Sequence, residues 1–277
     1  MSRMSRSERI GVMTKILLDQ PNRIFTLNYF SELFGVAKST VSEDVMLLRR
    51  ALNTFNLGTL ETVVGAAGGV KYKPQPGQNR ISDFIQDLCE KLSDPERILP
   101  GGFLYMTDLL FMPNIAEQVG EIMAYKFQDT HPDFVITVET KGIPIALMTG
   151  RALNCPVVIA RRDSKVTEGS VVTINYVSAS SRRIQTMSLA RRAVKQGQRA
   201  LIVDDFMKGG GTAKGMIDLL SEFGVDIAGV GVMIATQQPE KKMVENYAAL
   251  IELKQVDENG RKVVLEPADW IVEGDLY

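Results

Sequence analysis

The chain has 277 residues, of which 45% are hydrophobic and 23% charged, and a formal net charge of −1; this composition is typical of globular proteins, with room for two domains or one large one. Its single histidine excludes a multi-histidine metal site, and its two widely spaced cysteines do not suggest a disulfide framework. It has no apolar run of the ~20 residues that a membrane span needs, and its N-terminus is polar, so the sequence predicts a cytoplasmic protein without a membrane partner.

Charge is unevenly distributed along the chain. Residues 1–73 carry ten Lys or Arg and six Asp or Glu, whereas the remaining residues carry 22 and 27. A basic first segment on an acidic body favours a polyanionic partner for that first segment.

Apolar residues recur at helical spacing through the first 55 residues and predict three helices. Thr26 is a suitable N-cap for the second helix, which Gly35 ends, and the third helix is expected from Ser39. The apolar positions are Ile10, Met13, Leu17 and Leu18, then Phe30, Leu33 and Phe34, then Val41, Val45, Leu48 and Leu52.

Two short helices joined through a glycine turn form a helix-turn-helix pattern, although a generic three-helix bundle would give the same spacing. In a helix-turn-helix unit the second helix enters the major groove of DNA. The candidate DNA-binding residues on the polar side of this helix are Lys38, Ser39, Thr40, Ser42, Glu43, Arg49 and Arg50.

A β-hairpin is predicted directly after these helices, and it favours DNA binding over the plain bundle. The stretch TLETVVGAAGGVKYKP, residues 59–74, alternates, turns through glycines and returns with Lys71 and Lys73, which suits a wing that contacts phosphates. The following KPQPGQNR, residues 73–80, is interpreted as a linker. The expected domains are therefore a winged helix-turn-helix domain over 1–74 and a second domain over 75–277.

The second domain alternates between helical stretches and short, continuous apolar runs. These runs predict parallel strands over 134–138, 157–160, 201–203 and 227–234, with helices over 115–127 and 213–223. The expected fold class is α/β, a mostly parallel sheet with flanking helices. Its ligands should bind at the carboxyl ends of the strands.

The segment LIVDDFMKGGGT, residues 201–212, has the character of a ligand site. The glycines and the start of a helix suit a phosphate, and Asp204 and Asp205 could accept hydrogen bonds from a sugar diol. It matches neither the Walker loop nor the dinucleotide pattern G-x-G-x-x-G, in which Lys214 would replace the last glycine. A ribose 5-phosphate offers a diol and a phosphate together.

This segment resembles the diphosphate-ribose signature of the type I phosphoribosyltransferase family, and VITVETKGIPIA resembles that family's pyrophosphate loop. The segment 157–192 resembles the part that holds the mobile flap in adenine- and xanthine-type members, and LPGGFLYMTDLL the part that forms the purine pocket. The resemblance implies that 5-phosphoribosyl diphosphate (PRPP) or a nucleotide binds at Asp204, Asp205, Phe206, Lys208, Gly209, Gly210, Gly211, Thr212, Thr140, Lys141, Gly142, Arg161, Lys165, Phe103 and Tyr105. Arg162 is a further cation that could reach the phosphates.

Over its whole length the chain resembles the purine operon repressors of Gram-positive bacteria. The matching segments include STVSEDV, PERILPGG and DDFMKGGGT, with Gly209 standing where alanine or another small residue is usual. The resemblance implies a homodimer that binds control DNA of purine synthesis and salvage genes. It also implies PRPP with Mg²⁺ as inducer, competition by guanine nucleotides such as ppGpp, no permanent cofactor or metal, and no catalytic residue.

Two alternatives remain open from the residues. The chain could be an active purine phosphoribosyltransferase with a regulatory DNA-binding head, because phosphoribosyl transfer needs no dedicated base whose absence would be visible. It could also be a DNA-binding protein whose second domain serves only for dimerisation, although the intact glycine-rich segment is hard to explain on that view.

Overall fold

The structure is a computed structural model that describes residues 4–65, 68–163, 169–178 and 183–274. The chain divides into two compact units, residues 1–77 with 151–154 and residues 78–150 with 155–277. Among the described residues, none of the helices combines the length and the apolar character that would let it span a membrane.

The first unit is a winged helix. Its elements are α1 (Arg6–Asp19), α2 (Leu27–Phe34), α3 (Lys38–Thr54), β1 (Leu57–Val63) and β2 (Gly69–Pro76). Ser5 and Glu8 form a capping box at the start of α1, and the Thr26 side chain accepts the Tyr29 amide at the start of α2. Gly35, at φ 63°, ends α2 in the left-handed conformation that favours glycine.

The three helices and the hairpin enclose one core, as the apolar spacing predicts. The buried apolar residues are Met13, Leu17, Phe25, Phe30, Phe34, Val41, Val45, Leu48, Leu52, Leu60, Val70 and Tyr72. Three members of the predicted faces differ, because Ile10 and Leu18 are only half-buried and Leu33 is 48% exposed.

The predicted linker over 73–80 is wrong. Strand β2 continues through Pro76, pairs antiparallel with β1, and is followed after Gly77 by a helix that begins at Gln78. Proline is tolerated in a two-stranded hairpin because every strand there is an edge strand, so Pro74 and Pro76 do not interrupt it.

The second unit is an α/β domain. Its elements are α4 (Gln78–Leu92), β3 (Ile98–Leu99), β4 (Phe103–Leu104), α5 (Thr107–Leu110), α6 (Pro113–Lys126), β5 (Phe134–Val138), α7 (Ile143–Leu153), β6 (Val157–Ala160), β7 (Val171–Ser178), β8 (Arg183–Ala190), β9 (Arg199–Met207), α8 (Gly211–Ser221), β10 (Asp226–Thr236), β11 (Ala248–Asp257), β12 (Lys262–Pro267) and α9 (Asp269–Glu273). Short 3₁₀ turns lie at Pro95–Arg97 and Gln128–Thr130.

Six strands form the central sheet in the order β12-β11-β10-β9-β5-β6. All neighbouring pairs are parallel except β11 with β12. The chain leaves β5 toward β6 on one side and leaves β9 toward β10 on the other. The crevice between the carboxyl ends of β5 and β9 is therefore the topological switch point, where ligands bind in open α/β sheets.

The sheet confirms the expected fold class and the four predicted strands. Strand β9 extends further than expected, through Met207, while β11, β12 and the antiparallel hairpin β7–β8 were not predicted. The hairpin packs on α8, where a Cβ atom at Gly215 would lie only 2.9 Å from the Tyr176 ring, so glycine is required for this contact.

Candidate functional site

A cavity of about 900 Å³ opens at the carboxyl edge of the sheet, at the switch point. It lies wholly within the second unit. The residues that line it lie at the carboxyl ends of β5, β6, β9, β10 and β11 or in the turns that follow, in and after the β3–β4 hairpin, and at the start of α8. They are Gly101, Gly102, Phe103, Leu104, Met106, Val138, Glu139, Thr140, Lys141, Arg162, Asp163, Asp204, Asp205, Phe206, Lys208, Thr212, Thr236, Gln238, Leu253, Lys254, Gln255 and Val256.

The two adjacent carboxylates lie inside β9 rather than after it. Asp204 pairs in register with Val232 of β10, and β10 also holds Phe206 and Met207 in the ladder. The predicted loop over 206–211 is correspondingly shorter and comprises Lys208, Gly209 and Gly210, here called the glycine loop.

Asp204 is nearly buried, with 6% of its surface exposed, whereas Asp205 is half-buried. One carboxylate oxygen of Asp204 accepts the Asp205 amide at 3.0 Å. Burial and the neighbouring Asp205 carboxylate raise the pKa of Asp204 well above its usual range. An acid held in this way favours partners that bring donors or positive charge, such as sugar hydroxyls or a ligand-bound cation.

The glycine loop leads into the N-terminus of α8. Gly210, at φ 79°, caps the helix, and all three glycines 209–211 are buried. The first amides of a helix have no acceptor within it, so this turn presents donors and a positive dipole end to an anion. A smaller cavity of about 60 Å³ is lined by the loop together with Asp204 and Thr212.

The turn after β5 faces the same cavity. Thr140 and Lys141 are exposed and line it, whereas Gly142 is buried behind them. A Cβ atom at Gly142 would lie 2.3 Å from the Thr137 hydroxyl and 3.0 Å from an Asp204 carboxylate oxygen. Gly142 therefore lets the turn pack against Asp204 and does not itself line the cavity.

The predicted role of Arg161 is not supported by its position. Its backbone is fixed to Ser188 by two hydrogen bonds, and its guanidinium lies 3.5 Å from the Glu139 carboxylate. The next residue, Arg162, lines the cavity, and its amide donates to Glu139 at 2.8 Å. Lys165 lies outside the described residues.

Two of the three predicted aromatic residues line the cavity. Phe103, which is 59% exposed, and the half-buried Phe206 do so, but Tyr105 does not. The Tyr105 backbone is instead tied to Arg97, through its amide to the Arg97 carbonyl and through its carbonyl to the guanidinium. Arg97 also binds Asp108 with two hydrogen bonds of 2.8 and 2.9 Å, which holds the hairpin in place.

Sequence reasoning missed the wall formed by Leu253, Lys254, Gln255 and Val256, and also Thr236 and Gln238. Recognising AALIEL as a strand parallel to β10 would have indicated its carboxyl end as part of the site.

The candidate DNA-binding residues of the first unit differ in their exposure to solvent and in their side-chain contacts. Lys38, Ser39, Ser42, Glu43 and Arg50 are exposed, and Thr40 and Arg49 are half-buried. Glu43 pairs with Arg6 at 2.6 Å, Arg49 donates to the Thr62 hydroxyl, and Lys71 and Lys73 both lie near Glu61, at 3.5 and 3.6 Å.

A buried ion pair that the sequence did not reveal connects α1 to α3. Asp44 is fully buried and accepts from Arg9 at 2.8 Å and from Arg6 at 3.2 Å, and Arg9 itself is only 6% exposed. The side of α3 opposite its exposed polar residues is thereby fixed to α1.

Fold and site together define a winged-helix protein with a domain of the type I phosphoribosyltransferase fold. The family description "Bacterial purine repressor, N-terminal" matches residues 5–74, and "Phosphoribosyl transferase domain" matches residues 106–269. The chain belongs to the bacterial purine repressor family.

Relatives over nearly the full length support this assignment. The chain is 46% identical to the purine biosynthesis transcriptional repressor of Bacillus subtilis (strain 168), covering 96% of this chain and 93% of that protein. It is 38% identical to a purine biosynthesis transcriptional activator of Lactococcus lactis subsp. lactis, covering 94% and 96%. The fold of adenine phosphoribosyltransferase from Rhodothermus marinus is similar, with a TM-score of 0.52 and 21% identity over 62% of this chain and 99% of that one.

Proposed function

We propose that this protein is a DNA-binding transcriptional repressor of purine biosynthesis and salvage genes that responds to PRPP. The observation that carries the proposal is one chain that holds both a winged helix and a phosphoribosyltransferase-like domain with a large cavity at the carboxyl edge of its sheet, beside Asp204 and Asp205. The full-length relative named as a repressor, at 46% identity, favours repression over the activation named for the relative at 38%.

The two cavities together offer complementary groups to each part of PRPP. The amides of the glycine loop and of α8, at the smaller cavity, suit the 5-phosphate, and Asp204 and Asp205, which line the larger one, suit the ribose hydroxyls. Lys141 and Arg162, which line the larger cavity, are the cations that we expect to pair with the diphosphate. Mg²⁺ would enter as part of the ligand, because phosphate oxygens are ligands that it prefers. A guanine nucleotide such as ppGpp presents the same groups and would compete.

PRPP would act as an inducer, so its binding lowers the affinity for control DNA. We also propose a cytoplasmic homodimer, because winged and helix-turn-helix domains commonly read two half-sites with two copies. The second domain would use no catalytic residue of its own and would sense the concentration of PRPP.

The test uses the full chain and DNA from a purine-gene control region. Asp204→Ala/Asp205→Ala should bind this DNA like the wild type but lose the release by PRPP–Mg²⁺, because the ribose hydroxyls lose their acceptors. The matched control is Asp218→Ala/Glu222→Ala, which removes one half-exposed and one exposed carboxylate in and after α8 and should keep the response. A double-Asp variant that is still released by PRPP would contradict the proposed site.

An active purine phosphoribosyltransferase is the second candidate, and the intact ligand cavity favours it. Its readout is release of pyrophosphate when the chain is incubated with PRPP, Mg²⁺ and adenine, guanine, hypoxanthine or xanthine. We expect none above the background hydrolysis of PRPP, and sustained turnover would favour the enzyme.

A further inference from the structure

The glycine loop is held from behind by partners for each of its carbonyl groups. The Lys208 carbonyl accepts from the Lys242 ammonium at 3.1 Å and from the Thr236 hydroxyl at 3.3 Å. The Gly209 carbonyl accepts the Met243 amide at 2.9 Å, and the Gly210 carbonyl accepts the Lys214 amide at 2.9 Å.

These contacts fix the direction of the loop amides. In a planar trans peptide the carbonyl oxygen and the amide hydrogen of the next residue point in opposite directions. The amides of Gly209, Gly210 and Gly211 therefore point away from the donors that hold the preceding carbonyls, which are Lys242, Thr236 and Met243 after or at the end of β10 and Lys214 in α8. A loop that binds an anion requires this orientation.

Lys242 is the one ammonium group among the described contacts of the loop carbonyls. Its Nζ also donates to the carbonyls of Thr236 at 2.7 Å and Pro239 at 3.0 Å, so that all three N–H bonds of the ammonium have acceptors. Burial lowers the pKa of Lys242 from its usual range, while the nearby Glu252 carboxylate opposes this effect.

The backbone of the same segment packs closely on the loop. A Cβ atom at Gly210 would lie 3.3 Å from the amide nitrogens of both Met243 and Val244. The segment after β10 is thus the rear support of the loop, and Lys242 ties the two together.

We propose that Lys242 is a positioning residue for the 5-phosphate site. It holds the Lys208 carbonyl away from the ligand and so directs the loop amides toward the phosphate. This inference rests on the proposed function, in which that phosphate belongs to PRPP. Lys242 does not itself contact the ligand.

The experiment compares three variants of the full chain by calorimetric titration with ribose 5-phosphate. Lys242→Met keeps the length of the side chain but has no donors, Lys242→Arg keeps a cation with several donors, and Lys241→Met removes the neighbouring exposed lysine. Loss of charge-assisted hydrogen bonds behind the loop should weaken binding roughly tenfold in Lys242→Met. The other two variants should stay within about twofold of the wild type.

Amide hydrogen exchange without ligand provides the second readout. The Met243 amide, which is bonded to the Gly209 carbonyl, should exchange about tenfold faster in Lys242→Met but not in Lys241→Met. Unchanged binding and unchanged exchange in Lys242→Met would overturn the inference. Should Lys242→Met fail to fold, Lys242→Gln, which has fewer donors and no charge, should show intermediate weakening, and wild-type affinity there would overturn it as well.

Failure of the proposed function gives a different result. In that case the wild type would not bind ribose 5-phosphate at all, and the exchange of Met243 alone would decide the role of Lys242. Unchanged exchange would then refute it.

Discussion

At the scale of single residues, the ligand site contains a group that opposes folding. Asp204 is held inside β9 with 6% of its surface exposed and with Asp205 beside it, and both burial and this neighbour raise its pKa. A carboxyl group whose pKa is higher in the folded than in the unfolded chain is less favourable in its charged form. It therefore lowers stability increasingly as the pH rises from the usual aspartate range through the raised pKa.

Asp204→Asn should accordingly raise the free energy of unfolding at pH 7, by roughly 1 kcal/mol or more, because the amide is neutral in the buried site without having to take up a proton. The gain should shrink as the pH falls and vanish well below about 4, where the wild-type carboxyl is protonated in both the folded and the unfolded chain. Urea unfolding at several pH values measures it, with Asp218→Asn as control, because the Asp218 side chain is 50% exposed. An equal or lower stability of Asp204→Asn at pH 7 would contradict the account.

Some residues of the candidate site could be predicted from the sequence and others could not. Motif positions indicated that Asp204, Asp205 and the glycines lie together at one edge of the sheet, because a strand, two acids and a tight loop are contiguous; their role in binding stays a prediction. They could not distinguish Arg161 from Arg162, since the choice depends on the bridge from Arg161 to Ser188, 27 positions along the chain. The same holds for Tyr105, whose backbone is fixed by Arg97.

At the scale of elements, the orientation of α3 depends on the ion pair with α1. Asp44 has no exposed surface and is bound by Arg9 and by the half-exposed Arg6. Removing one partner leaves a buried carboxylate with a single cation, which is costly.

Arg9→Met should lower the stability of the protein by about 2 to 3 kcal/mol and weaken its binding to DNA, because α3 loses its fixed position. The matched control is Lys15→Met, which removes an exposed cation of the same helix. Thermal unfolding and gel shift report the two effects. A normal affinity for DNA in a destabilised Arg9→Met would show that the ion pair supports folding alone.

The bounds of some strands could be predicted from the sequence, whereas those of others could not. The continuous apolar runs of β5 and β6 predicted both strands at their observed bounds. Strand β9 is longer than its apolar run because pairing with β10 holds the polar Asp204 and Asp205 in the ladder. Prolines suggested a linker where the structure has an edge strand, since local composition does not reveal which partner a strand pairs with.

At the scale of the whole molecule, the proposed function gives one chain two anionic partners, DNA for the first unit and PRPP for the second. The basic first segment carries ten cations and six acids, and the second unit carries the cavity to which we assign PRPP in the proposed function. If PRPP and DNA oppose each other, then each must lower the affinity for the other by the same factor. A domain that served only for dimerisation would show no such coupling.

The most direct measurement of this claim is the affinity of the full chain for purine-gene control DNA, titrated at fixed salt with and without PRPP–Mg²⁺. The account predicts that saturating PRPP weakens DNA binding at least about fivefold, the lower end of typical coupling between sites. It also predicts that saturating DNA weakens PRPP binding by an equal factor. DNA affinity that is unchanged by PRPP, while PRPP is shown to bind, would contradict it.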